Sequence, residues 1–309
     1  MTTSRNAAAA HPFRGVFPAI TTPFNADGSV DHGFLREHAR WMMAAGCDGM
    51  IPLGSLGETN TLEMDEKMAV LETLVDALDG KPVIPGIASL STAGGVRLAQ
   101  AARDVGCGGL MALPPYVYTS DWREMKAHMA ALVTATELPV ILYNNPGAYR
   151  TDFLAPQIAE LAGEHANLRG VKESSGDVRR VTALRAALPE SVDILVGLDD
   201  AIVEGVAAGA TGWIAGLINA YPAESVRLFE LARDGRAVEA AELYRWFLPL
   251  LRLDVVNKFV QLIKFVQEET GHGSARVRAP RLELTDAEKA EVRELLKTAS
   301  GRVPAGVGA

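Results

Sequence analysis

The 309-residue chain, with 48% hydrophobic side chains, can bury a large core, and its formal charge of -8 gives nucleic acid or an anionic membrane no favourable long-range field. No apolar run reaches the roughly 18 residues a bilayer span requires, and the opening MTTSRNAAAAHPF has no apolar signal core. A cytoplasmic protein is expected, with neither nucleic acid nor membrane as partner, and a small anionic substrate would need a local site.

In chain order, residues 1–12 read as a disordered leader and residues 13–234 as a barrel. From Gly15 to about Leu231, short apolar runs alternate with helix-length segments without a long break. The runs are GVFPAITTPF, GMIPLGS, PVIPGIA, GLMALPP, PVILYNN, RGVKESS, DILVGLD and GWIAGLI. They are brief and almost continuously apolar, as parallel strands covered on both faces are, and their number closes an α/β (β/α)8 barrel. A cruder repeat agrees: AAGCDGMIPLG, DVGCGGLMALP and AAGATGWIAGL each set one glycine at a helix end and another at a strand start. Cys47 and Cys107 occupy equivalent places in this repeat, so both are expected as reduced thiols, not as a covalent pair. After the eighth run the pattern is helical only. PAESVRLFELARDG reads as the last barrel helix; RAVEAAELYRWFLPLLRLD, NKFVQLIKFVQEETG and the Thr/Asp-capped TDAEKAEVRELLKT form a C-terminal helical appendage over residues 235–309. Pro280 marks an extended linker before the last helix.

In a parallel barrel the chemistry sits at the carboxyl ends of the strands, so the polar residues finishing each run are the candidates. Lys172 interrupts the apolar run RGVKESS; burial would lower its pKa and free a neutral nucleophile. The same letters suit a lysine that snorkels to water or pairs with Glu173. Tyr143 ends VILYNNP one strand away, where a phenol can shuttle protons for Schiff-base chemistry or serve as a core tyrosine. GSLGE, Gly54 to Glu58, places backbone N–H groups beside glycines, suiting a substrate carboxylate or a plain tight turn, and Ser55 adds a hydroxyl for proton relay. Gly197 in VGLDD and Ile214 in GWIAGLI bear on pocket shape. Leu56, Asn145 and Ser174, at the same strand ends, complete the candidate substrate contacts with Gly54. A metal would need grouped ligands, yet His11, His32, His38, His128, His165 and His272 fall in the leader, helices or loops, so no metal and no cofactor are expected.

PAITTPFNADGSVD, GSLGE, YNNP, GVKESS and GLDD, in that order, resemble the motifs of the dihydrodipicolinate synthase / N-acetylneuraminate lyase family of class I aldolases, over nearly the whole chain from Gly15. The resemblance implies a Schiff-base lysine at Lys172, a proton-relay tyrosine at Tyr143, carboxylate recognition by Ser55 and the Leu56 backbone, and a homotetramer built from dimers. Two departures bear on substrate. Ala148 stands where synthases of the family carry an arginine, and Val117 where they carry a second tyrosine; Arg150, two places on, is a candidate substitute from a shifted position. YNNPGAYRTDF, GWIAGLINAYP and YRWFLPLLRLD look like the branch containing Δ1-pyrroline-4-hydroxy-2-carboxylate deaminase. The expected activity is therefore a lyase acting on a small 2-oxo acid or cyclic imine such as a pyrroline carboxylate. A dihydrodipicolinate synthase, a pyruvate aldolase, a sugar-acid dehydratase and a non-catalytic 2-oxo-acid-binding barrel are the alternatives.

Overall fold

The computed structural model describes residues 11–115, 118 and 121–301. The described residues form seven parallel strands, β1 (Gly15–Pro18), β2 (Gly86–Ile87), β3 (Leu110–Ala112), β4 (Val140–Asn144), β5 (Leu168–Glu173), β6 (Asp193–Val196) and β7 (Gly212–Ala215). They are hydrogen-bonded in the order β1-β7-β6-β5-β4-β3-β2. The interval between β1 and β2 is filled by Met50 and Ile51, through the parallel bridges Ala19 to Ile51 and Met50 to Val83. Ile51 N–H donates to the Pro18 carbonyl and Ile84 N–H to the Met50 carbonyl, each at 2.8 Å. The sheet thus closes on itself with eight staves. The expected second strand, GMIPLGS, contracts to this bridged pair because Pro52 has no N–H to donate and the chain then turns through Leu53 at φ 59°.

Helices wrap the staves: α1 (His32–Ala44), α2 (Met64–Leu78), α3 (Thr92–Val105), α4 (Trp122–Val133), the one-turn α5 (Pro146–Tyr149), α6 (Ala155–Glu164), α7 (Arg179–Ala187), α8 (Ile202–Ala207) and α9 (Pro222–Arg233). At the starts of α1, α3 and α4 a side chain takes up an orphan N–H: Asp31 accepts from Phe34, Ser91 from Gly94 and Asp121 from Glu124. The repeated glycines account for helix ends and strand starts. Gly46, Gly106 and Gly209 have φ of 105°, 97° and 108°. A Cβ on Gly49 would come within 2.6 Å of the Pro82 carbonyl oxygen, and one on Gly212 within 2.6 Å of that of Phe13. Cys47 and Cys107, each following such a helix end, are free and buried, and burial pushes both thiols up to about 12.

Alternate strand residues point into the barrel. Phe13, Phe17, Ile51, Ile84, Met111, Leu113, Ile141, Tyr143, Leu195 and Ile214 form one buried cluster there. Phe13 plugs the floor: a Cβ on Gly170 would lie 2.8 Å from its ring. The buried Asp193 holds this entry segment, accepting from Phe13 N–H at 3.2 Å and Arg14 Nε at 3.1 Å and meeting His11 Nδ1 at 3.2 Å. His11, inside the expected leader, is therefore already attached to the barrel; residues 1–10 of that leader lie outside the described residues.

Beyond α9 come α10 (Ala237–Leu251), α11 (Phe259–Glu269) and α12 (Asp286–Ser300). Thr285 caps α12 with Glu288 in a reciprocal capping box, as TDAEK suggests. These helices are tied into the barrel by a buried ion pair, Lys264 Nζ to Glu58 Oε1 at 2.6 Å, with both side chains almost fully shielded. Among the described residues no helix is long and apolar enough to cross a membrane.

Candidate active site

Strand register positions the two central side chains. Tyr143 in β4 pairs with Lys172 in β5, which pairs with Leu195 in β6, so all three face inward on adjacent strands. Lys172 is 7% and Tyr143 6% exposed, and the lysine Nζ lies 4.3 Å from the centre of the tyrosine ring. This places the amine inside the barrel mouth, away from the outer rim, where a snorkelling lysine would reach bulk water.

Around them opens a cavity of about 580 Å³. Gly54, Ser55, Leu56, Tyr143, Asn145, Lys172, Ser174, Gly197 and Ile214, the candidate catalytic and substrate-contact residues, all line it. Asn145 donates from Nδ2 to the Tyr143 hydroxyl at 3.0 Å, while its Oδ1 accepts from Ala148 N–H at 3.0 Å and starts α5. Gly197 is obligatory: a Cβ there would lie 2.0 Å from Ser174 Oγ and 2.7 Å from Lys172 Cε. Ser174 Oγ is buried and has no hydrogen-bond partner among the described residues, leaving a hydroxyl for a bound molecule.

The GSLGE turn is held rigidly from outside the cavity. Leu53 precedes it and Glu58 closes it with φ of 59° and 54°, a strained region for side-chain-bearing residues. Thr22 Oγ1 donates to the Gly57 carbonyl at 2.7 Å. The buried Glu58 carboxylate accepts from Lys264 Nζ at 2.6 Å and Arg278 N–H at 3.0 Å. These anchors leave Ser55 and Leu56 facing the cavity with their backbone at the turn.

Three participants escaped the sequence reading. Tyr149, from α5, is hydrogen-bonded to Ser55 Oγ and stands edge-on to Tyr143, ring centres 5.6 Å apart at 82°. Asp199, after β6, is fully buried and accepts from Trp213 Nε1 and Gly216 N–H at 3.1 Å and from Leu217 N–H at 2.8 Å. Burial pushes its carboxyl up to about 6, against those hydrogen bonds and the nearby Lys172 charge. Asp254, in the turn after α10, lines the cavity; burial raises its carboxyl well above the usual range, the Asp199 charge adds to this and Lys172 opposes it. The lysine is thus flanked by two acids, in place of the purely apolar surroundings its strand letters suggest. Among the described residues no three His, Cys, Asp or Glu side chains are grouped as a metal site.

Residues 12–299 match the dihydrodipicolinate synthetase family. The chain belongs to that family. It is 35% identical over 285 residues to the 4-hydroxy-tetrahydrodipicolinate synthase of Natronomonas pharaonis, covering 92% of this chain and 97% of the relative. The synthase of the same name from Rhizobium meliloti is 32% identical, over 87% of this chain and 92% of its own length. Among solved structures, dihydrodipicolinate synthase from Aquifex aeolicus superposes with a TM-score of 0.90 at 27% identity, covering 94% of this chain and 99% of that one. A prophage protein of the dihydrodipicolinic acid synthase family from E. coli K12, in complex with pyruvate, gives 0.88 at 26% identity over 93% and 99%.

As a member of the dihydrodipicolinate synthetase family, the chain is a lyase of the Schiff-base-forming, class I aldolase type. The named relatives above are synthases, not members of the deaminase branch that the longer motifs resemble. Of the two departures from synthase pattern, Ala148 lines the cavity, and Val117 lies outside the described residues. Arg150 is exposed, in the left-handed region at φ 58°, and is not among the residues lining the cavity.

Proposed function

We propose that Lys172 forms a Schiff base with C2 of a small 2-oxo acid or cyclic imine, with Tyr143 carrying protons and the Gly54–Leu56 turn holding the substrate carboxylate. The observation that carries this reading is the amine lying 4.3 Å from the tyrosine ring, on neighbouring strands, inside the barrel mouth. Ser55 and Tyr149 extend the line of hydroxyl groups along which a proton moves.

The substrate we favour is Δ1-pyrroline-4-hydroxy-2-carboxylate. The amine of Lys172 adds to the C2 imine, the ring C2–N bond breaks, and a protonated Schiff base acidifies C3. Loss of the C3 proton gives an enamine, which expels the C4 hydroxyl as water. Tautomerisation and hydrolysis then release ammonia and 2-oxoglutarate semialdehyde. Supporting this choice, no arginine or histidine lines the cavity among the described residues, so a second distal carboxylate has no cationic partner there. A second reading, 4-hydroxy-tetrahydrodipicolinate synthase, is favoured by the names of the relatives. The test pairs two assays on one preparation: ammonia release from the pyrroline, and condensation of pyruvate with aspartate semialdehyde. Ammonia release with no condensation supports the deaminase; the reverse selects the synthase. A homotetramer is proposed from the same resemblance, with light-scattering mass as its check.

A further inference from the structure

Asp254 reaches the cavity not from a strand end but from the turn between α10 and α11, in LRLDVVN. We infer that Asp254 is the general acid that protonates the hydroxyl leaving from C4, an assignment that rests on the Schiff-base reading above.

Three observations carry it. Among the described residues lining the cavity, Asp254 is the one carboxyl group and Lys172 the one amine, so an acid for a leaving group must be Asp254 or the far weaker hydroxyl acids Ser55, Tyr143, Tyr149, Ser174 and Ser175. Its place is built for it: a Cβ on Gly216 would meet Asp254 Oδ1 at 1.9 Å, so the glycine of GWIAGLI makes the room that the carboxyl fills. Its hydrogen-bonding capacity is open, since no donor among the described residues bonds its side chain, whereas the neighbouring Asp199 is saturated by three. Two nearby acids are thereby divided: Asp199 is pinned as a structural acceptor, and Asp254, whose ionised form desolvation and the Asp199 charge both disfavour, is the one placed to give up a proton.

The step balances without a further reagent. The enamine nitrogen pair re-forms C2=N, the C2=C3 pair becomes C3=C4, and the C4–O pair departs on oxygen, which takes the Asp254 proton and leaves as water. Asp254 is left as a carboxylate next to Lys172 and recovers its proton during the later tautomerisation.

The experiment compares wild type with Asp254→Asn, first by borohydride trapping with pyruvate and then by turnover of two substrates, Δ1-pyrroline-4-hydroxy-2-carboxylate and its 4-fluoro analogue. Fluoride departs as an anion and needs little proton donation. The expected result is an unchanged pyruvate adduct, ammonia release from the hydroxy substrate lowered at least about 100-fold, and release from the fluoro substrate within about tenfold of wild type. Equal losses on both substrates, or no loss on either, overturn the assignment; loss of the pyruvate adduct also overturns it, making Asp254 a positioning residue for Lys172. Should the asparagine variant not fold, Asp254→Ala with added formate replaces it: restored ammonia release supports the assignment, and an intact adduct with no restoration overturns it. Absence of an adduct in the wild type would instead remove the Schiff-base reading itself.

Discussion

Gly197→Ala tests whether the placement of Lys172 is as tight as the geometry requires. The added methyl group would stand 2.0 Å from Ser174 Oγ and 2.7 Å from Lys172 Cε, with Lys172 Cγ at 2.8 Å. Ordinary contact starts near 3.4 Å, so the lysine chain must move by roughly 0.7 Å even after Ser174 has rotated away. It has little freedom to do so, because Leu195 and Tyr143 flank it on the adjacent strands. A misplacement on the order of 1 Å costs about 100-fold in rate, and overpacking a filled core costs about 1–3 kcal/mol. The variant should therefore fold with stability lowered by about that amount and form its pyruvate adduct some 10–100-fold more slowly. Quenching with borohydride at timed intervals and weighing the intact protein gives the rate; urea unfolding gives the stability. An adduct rate within about threefold of wild type would refute the claim that Gly197 sets the lysine's position.

Two further substitutions probe the frame around the site. Lys264→Met strips the nearer cationic partner from a Glu58 carboxylate that is 1% exposed, leaving Arg281 at 3.6 Å, and breaking a buried pair costs about 3–5 kcal/mol. The low end is expected, because Arg278 N–H still serves Glu58, and a urea midpoint unchanged from wild type would contradict the role given to this tie. His38 is held at about 4 by burial, with the Asn219 hydrogen bond opposing and the His272 charge adding. The unfolded chain thus binds the proton more readily, so stability is lost as the pH falls from about 6.5 towards 4, by about 2 kcal/mol at pH 5. Unfolding curves at pH 7 and 5 should show this loss in wild type and a smaller one in His38→Gln; equal slopes in both proteins would reject it.

Much of the architecture is written in local letters. Buried parallel strands must be apolar on both faces, and a helix stop followed by a close strand approach needs glycine twice, which is why Gly46 with Gly49 and Gly209 with Gly212 read so clearly. GMIPLGS misleads because apolar letters do not count backbone donors, and Pro52 limits the pairing to a bridge. The cavity wall is legible where a polar side chain breaks an apolar run, as Lys172 and Tyr143 do. Tyr149 and Asp254 carry no such mark. Tyr149 sits in a one-turn helix, and Asp254 in a turn after a helix containing Pro249, where no periodicity says which residue returns over the barrel mouth. The signal available for Asp254 was an acid isolated among apolar neighbours in LRLDVVN. The apolar strand letters around Lys172 likewise conceal two acids that arrive from later in the chain.

Covalent capture is the most direct examination of the account. Wild-type protein is mixed with pyruvate, reduced with borohydride, digested and sequenced by tandem mass spectrometry. One reduced adduct is expected, on the peptide carrying Lys172, and none in Lys172→Ala. An adduct on Lys264 or a surface lysine, or none at all with any 2-oxo acid, would contradict it.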